Sequence, residues 1–123
     1  EGKQKAKIIR ARWEISQDKP LKTNLEELIK SENKEVRAHA QYLKGFSLYK
    51  QKKYQDAVPE LLRVRYLFPE MKQVRIDAEI LACRAYIELG NMKDARQTYE
   101  MIENDLDSTT KEELIKALNE GGK

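Results

Sequence analysis

The stretch "GFSLYKQKKYQDAVPELLRVRYLFP" occupies Gly45–Pro69, and "CRAYIELGNMKDARQTYEMIENDLD" occupies Cys83–Asp107. Laid on one another, they match in kind. Gly45 meets Cys83, Leu48 meets Tyr86, Tyr54 meets Met92, Ala57 meets Ala95, Leu61 meets Tyr99 and Val64 meets Ile102. Apolar residues in each half recur every three or four positions, the spacing of one helix face. Each unit therefore reads as two antiparallel helices. The first carries a small residue (Gly45 or Cys83) where the second approaches most closely. Ala57 and Ala95 are small for the same reason, and the bulky residue four positions later fills the space between the pair.

Working outward, the same periodicity predicts seven helices. Lys3–Gln17 is the first, with Ile8, Ile9, Trp13 and Ile15 on its apolar side. "SQDKP" ends it, because Pro20 disfavours helix at Lys19. Leu21–Lys30 resumes with Leu21, Leu25, Leu28 and Ile29, and "SENK" reads as a turn and N-cap. Glu35–Gln51 follows and ends at Lys52–Lys53, where cations complement the helix dipole. Gln55–Phe68 is next, with Pro59 taken as lying near its start and Pro69 as its stop. Gln73–Leu89 ends at Gly90, a C-cap. Met92–Asp105 completes the second unit. Thr109 with Glu112, or Thr110 with Glu113, would form a capping box for a last helix to about Asn119.

Composition agrees. Lys, Glu, Ala, Leu, Arg and Ile dominate and favour helix, and three Pro and five Gly leave few breaks. The 123 residues suit one domain, and no apolar run approaches the roughly 20 residues that span a bilayer. The chain starts at Glu1 without Met and shows no signal peptide, so it reads as a piece of a longer protein. Its single cysteine, Cys83, rules out an internal disulfide and a cysteine-based zinc site.

The repeated unit resembles the tetratricopeptide repeat. Gly45, Leu48, Ala57, Leu61 and Pro69 match that family's pattern of small residue, bulky residue, Ala, aromatic and closing Pro, with Leu61 standing at the aromatic position. Cys83, Tyr86, Ala95 and Tyr99 match it again, with Asp107 in place of the Pro. Ala57 and Ala95 are 38 residues apart, longer than the family's usual 34. The four extra residues are placed at "EMKQ", as a longer connection or an extra helical turn. A degenerate third copy lies upstream, with Leu21, Asn24 and Leu28 standing for Tyr54, Ala57 and Leu61. "AHAQYLKGFSLYKQKKYQDA" and "YLFP" are further similar to repeats of bacterial envelope proteins of the Tol-Pal coordination and outer-membrane assembly lipoprotein kind. Lys44 departs from the usual Leu there. The resemblance implies an all-α, right-handed α-solenoid: a degenerate repeat over 1–34, repeats over 35–69 and 73–107, and a capping helix over 108–120. It also implies non-catalytic protein–protein interaction, with the periplasm favoured over the cytoplasm.

No catalytic constellation accompanies the repeat. His39 is the only histidine and has no acid–nucleophile motif around it, so it reads as a groove or surface residue. There is no Gly-rich phosphate loop and no metal-ligand spacing. Cys83 stands where the repeat needs a small buried residue, and burial raises a thiol's pKa. No cofactor or metal is expected.

In such solenoids the first helix of each pair lines the inner face. Aligned on that basis, Ile9, Tyr42 and Ile80 correspond. So do Trp13, Phe46 and Arg84, and so do Ser16, Tyr49 and Ile87. With His39 these residues make a largely apolar candidate groove for a peptide or partner helix. The family's Lys/Asn clamp for a terminal carboxylate is absent. Gln41 and Lys44 stand at positions often in the core, so packing of Tyr42 and Phe46 against neighbouring repeats is an equal alternative. Charge is uneven: residues 1–75 hold 18 basic and 10 acidic side chains, and residues 76–123 hold 6 and 11. Lys50–Lys53 with Arg63, Arg65, Lys72 and Arg75 make the middle basic. That allows an anionic surface or, less favoured, nucleic acid as partner. Structural self-association is the third reading, with Ile8, Ile9 or Trp13 at the N-terminal end touching another copy or upstream residues.

Overall fold

A computed structural model describes residues 2–121. Seven α-helices follow one another: α1 Gly2–Ser16, α2 Leu25–Ile29, α3 Lys34–Lys50, α4 Tyr54–Leu67, α5 Lys72–Glu88, α6 Met92–Ile102 and α7 Ser108–Gly121. A 3₁₀ turn, Glu103–Asp105, extends α6. Among the described residues there is no strand. Each helix packs on the next, from α2 onward, and the first helices of the pairs also pack on one another: α1 on α3, α3 on α5, α5 on α7. The chain is an all-α helical repeat.

Backbone geometry marks the repeat more sharply than side chains do. α1, α3 and α5 all end in the same Schellman turn. Lys19 N bonds Glu14 O at 2.9 Å, Lys53 N bonds Leu48 O at 2.9 Å, and Asn91 N bonds Tyr86 O at 2.9 Å. The residue turning left-handed is Asp18 (φ 56°), Lys52 (φ 63°) or Gly90 (φ 76°). These three stand 34 and 38 residues apart, as do Ala11, Gly45 and Cys83, all three of them buried. Ala11 thus stands in α1 where Gly45 and Cys83 stand in α3 and α5.

Gly45 is where the pairing is tightest. A Cβ there would fall 2.5 Å from Leu61 Cδ2 and 3.2 Å from Leu61 N. Only the absence of a side chain lets α4 lie this close to α3. In the next pair Cys83 fills the same place and its Sγ reaches Ala95 O at 3.4 Å. Three apolar clusters follow one another along the chain. The first joins α1, α2 and α3 around Ala11, Leu28 and Leu43; the second joins α3, α4 and α5 around Ala57, Leu61 and Ala78; the third joins α5, α6 and α7 around Cys83, Tyr99 and Leu114.

Four expectations need correction. α2 begins at Leu25, not Leu21. Asn24 takes the N-cap, its side chain accepting from Glu27 N at 3.3 Å, a role Asn prefers to helix interior. The four extra residues of the second unit lengthen α4 and not the connection, which spans four residues after both α2 and α4. Pro59 is the sixth residue of α4; the helix runs through it, on the exposed side, where the freed Gln55 carbonyl meets water. Finally, α7 is capped by Asp107, whose Oδ1 accepts from Thr110 N at 2.7 Å, and not by a threonine. That bond holds the Asp107 carboxyl below its ordinary value, and it explains why Asp stands where the repeat pattern has Pro.

Gln41 and Lys44 have clear places. Gln41, buried in α3, donates through Nε2 to the Glu60 backbone oxygen and carboxylate, both at 2.9 Å. Lys44 bridges α2 and α4, with Nζ 2.9 Å from Glu26 and 3.7 Å from Glu60. Their mutual contact lowers the Glu26 pKa and raises that of Lys44. Where the resembling repeats carry Leu before the Gly, this chain ties two second helices together with a charge.

Candidate functional site

The Schellman turns fix which faces of α1, α3 and α5 are equivalent. One row faces the preceding pair: Val36, Ala40 and Leu43 of α3 lie in the first cluster. Val74, Ala78 and Leu81 of α5 lie in or against the second. A second row faces the helix's own partner: Ala38, Gln41 and Gly45 in α3, Ile76, Glu79 and Cys83 in α5. Between them lies a third row, partly open on α3 and α5, and open on α1 only at Lys5 and Arg12 because Ile8 and Ile15 are buried in the first cluster. In α3 it is Glu35, His39, Tyr42, Phe46 and Tyr49; in α5 it is Gln73, Asp77, Ile80, Arg84 and Ile87; in α1 it is Lys5, Ile8, Arg12 and Ile15.

The candidate residues on α3 and α5 all fall on this row and all are partly buried. Tyr42 and Phe46 stack, with centroids 5.8 Å apart and planes 18° from parallel. Their inner edges pack on the first cluster, and Tyr42 also on the second. Burial pushes the Tyr42 hydroxyl up to about 12. Tyr49 meets Tyr54 edge-on at 5.4 Å. Ile80 and Ile87 pack on the third cluster. Tyr42 and Phe46 are thus both things at once: each contributes to the core on one side and to the open row on the other.

Ile9 and Trp13 do not belong to that row. The sequence alignment set α1 against α3 at a spacing of 33, which suits the second helices (Leu28 to Leu61) but not the first, where the spacing is 34. One residue turns a helix by about 100°. At the true register Ile9 corresponds to Leu43 and Leu81, and Trp13 to Ser47 and Ala85. These are positions that face the preceding pair. Ile9 is 68% exposed and Trp13 53%.

Four charged residues of the row escaped the sequence reading: Lys5, Arg12, Glu35 and Asp77. Arg12 Nη2 donates to His39 Nδ1 at 3.1 Å. Because Arg can only donate, that nitrogen is the bare one and the proton sits on Nε2. Burial and the Arg12 charge lower the His39 pKa, against weaker raising by Glu35 and Asp77. Between α1 and α3, a recess of about 200 Å³ is lined by Ile8, Ile9 and Val36, with Lys5, Arg12, Glu35 and His39 around it. The signal that would have found these residues is that Asp18, Lys52 and Gly90 keep the same two intervals as Ala11, Gly45 and Cys83, but left-handed geometry at Asp18 and Lys52 is not written in their identity.

The basic middle is largely engaged within the chain. Lys50 lies 3.5 Å from Asp18, Arg63 3.0 Å from Glu60 and Lys72 3.3 Å from Asp105. Arg65 and Arg75 converge on Glu79, a carboxylate only 1% exposed, at 3.3 and 3.0 Å. Arg75 Nε also donates to Pro69 O at 3.1 Å, so the cluster ties α4, the following turn and α5 together. Burial pushes the Cys83 thiol up to about 11, the state of an inert, packed thiol. Among the described residues no helix is long and apolar enough to cross a membrane. No family model, curated protein or solved structure matches this chain.

Proposed function

We propose that this chain is a non-catalytic protein–protein interaction module of the tetratricopeptide kind, and that a peptide or partner helix lies along the open row of α1, α3 and α5. One observation carries the reading. Tyr42, Phe46 and Tyr49, with Ile80 and Ile87 beside them, are held by core contacts on one side and left uncovered on the other. Rings fixed in this way lose little freedom when a partner covers them, and aromatic anchors of this kind carry most of the energy of recognition. Arg12 and Arg84 alternate with Glu35 and Asp77 along the row, which favours a ligand carrying both charges around an apolar centre. The pairing of Lys50, Arg63, Arg65, Lys72 and Arg75 with carboxylates favours this reading over an anionic surface held by the basic middle.

A displayed random-peptide library selected on the wild-type chain tests it. The enriched peptides should share an apolar centre. They should bind Phe46→Ala and Tyr49→Ala at least about tenfold more weakly, and bind Tyr66→Ala, 77% exposed on α4, as the wild type. Thermal melts run alongside separate lost binding from lost folding. Equal binding by the folded Phe46→Ala and Tyr49→Ala variants, or affinity that collapses with salt as phosphate-driven binding does, would end the groove reading.

A further inference from the structure

α1 repeats the row that α3 and α5 use to sit on the pair before them. Val36, Ala40, Leu43 and Ser47 of α3 are matched by Val74, Ala78, Leu81 and Ala85 of α5 and by Gly2, Ala6, Ile9 and Trp13 of α1. In α3 and α5 this row is largely buried against a neighbouring pair; in α1 all four residues are exposed. Trp13 is the largest side chain in any of these positions, and Lys19 Nζ lies 5.4 Å from its ring centroid. The row is built to be covered.

Its charge says by what. α1 carries five basic residues against one acidic, so two α1 helices meeting face to face would set like charges together. The opposite end of the chain has the complementary character. Residues 92–121 hold eight acidic side chains against four basic. There a shallow recess of about 490 Å³ between α6 and α7 is lined by Glu100, Glu103 and Arg96 beside Tyr99, Leu118 and Ile115, the last 41% exposed.

We infer that a second copy of this chain docks head to tail, its α1 row with Ile9 and Trp13 seated on the acidic α6–α7 recess of the first. The contact is heterologous, so it leaves one free head and one free tail and extends into longer assemblies or closes as a ring. It is independent of the open row proposed to hold a peptide.

Two substitutions test it, each repelling the opposite end: Trp13→Glu on the head, against Glu100 and Glu103, and Ile115→Lys on the tail, against the basic α1. Both side chains are exposed, and circular dichroism checks that each variant folds. In sedimentation equilibrium the wild type should associate with rising concentration and more weakly in high salt. Each variant alone should associate at least about tenfold more weakly. Mixing the two should restore association, because the intact head of one meets the intact tail of the other. A wild type that stays monomeric overturns the inference. So does an Ile115→Lys variant that still dimerises alone, the mark of a symmetric α1–α1 contact, or a mixture no more associated than its parts.

Discussion

The approach of α3 and α4 at Gly45 makes a prediction whose sign can be reversed. In Gly45→Ala the new Cβ meets Leu61 Cδ2 at 2.5 Å and Cγ at 2.6 Å, with the α4 backbone nitrogen at 3.2 Å behind them. Leu61 is 0% exposed, so it cannot swing aside into solvent, and the pair must spread. Overpacking of this kind costs about 1–3 kcal/mol. Against it stands a gain of about 0.8–1 kcal/mol for removing Gly from a helix interior. The net effect is a loss of roughly 1 kcal/mol, which lowers Tm by about 3–6 °C for a domain of this size. Leu61→Ala alone should cost about 2–5 kcal/mol through the cavity it leaves. In that background the obstacle is gone, and Gly45→Ala should raise stability by about 1 kcal/mol. Chemical denaturation of the four proteins, followed by far-UV circular dichroism, closes the cycle. A coupling energy of about 1–3 kcal/mol is expected between residues in direct contact. If Gly45→Ala has the same sign and size in both backgrounds, the close approach is not what requires glycine there.

Three further perturbations act elsewhere. Replacing Arg65 and Arg75 together with Ala leaves Glu79 charged and buried, which should cost about 3–5 kcal/mol; adding Glu79→Met should recover most of it, and a triple variant as unstable as the double would refute the charge argument. Lys52→Gly should raise the urea midpoint by up to about 1 kcal/mol equivalent, because a left-handed residue with a Cβ costs about 1–2 kcal/mol, and Gly90→Ala should lower it by a similar amount; unchanged midpoints would show that neither turn is strained. His39 is lowered in the folded chain by burial and by Arg12, so the unfolded chain binds the extra proton first. Its contribution is complete above the ordinary histidine value of about 6.5 and is lost as pH falls from there through the lower folded value. His39→Gln should flatten urea stability across that window, and a wild type with no loss of stability on acidification through it would refute the assignment.

The sequence carried the pairing of helices because pairing depends on size. Gly45, Ala57, Cys83 and Ala95 are small where two backbones meet, and their spacing alone identifies the two clear units. It carried the helix boundaries of α3, α4 and α5 to within a residue, and those of α6 together with its 3₁₀ extension. It carried the open row on α3 and α5, since Tyr42, Phe46, Tyr49, Ile80, Arg84 and Ile87 follow once those helices are placed. The row on α1 was lost because the degenerate pair was aligned through Leu28 and Leu61, in its second helix. Between the first and second helix the chain from Gln17 to Asn24 is one residue longer than its counterpart, and that residue cannot be located from apolar spacing. Glu79 was invisible for another reason. A buried carboxylate is written like any surface Glu until two arginines from different elements, Arg65 and Arg75, are seen to converge on it.

Three small clusters in series, in place of a single core, let the chain come apart in steps. In such arrays stability is close to a sum over units and their nearest-neighbour interfaces, and opening can proceed by segments below the global free energy. The first unit joins the rest through α1 and a five-residue α2 packed on α3. When α1 and α2 detach, α3 is left with Val36, Ala40 and Leu43 bare, the same kind of row that α1 already presents. A frayed chain therefore does not end in a ragged core but regenerates an end of the original pattern one unit further in. Amide protons of α1 and α2 should exchange well before those of α4 and α5, while the remainder stays folded.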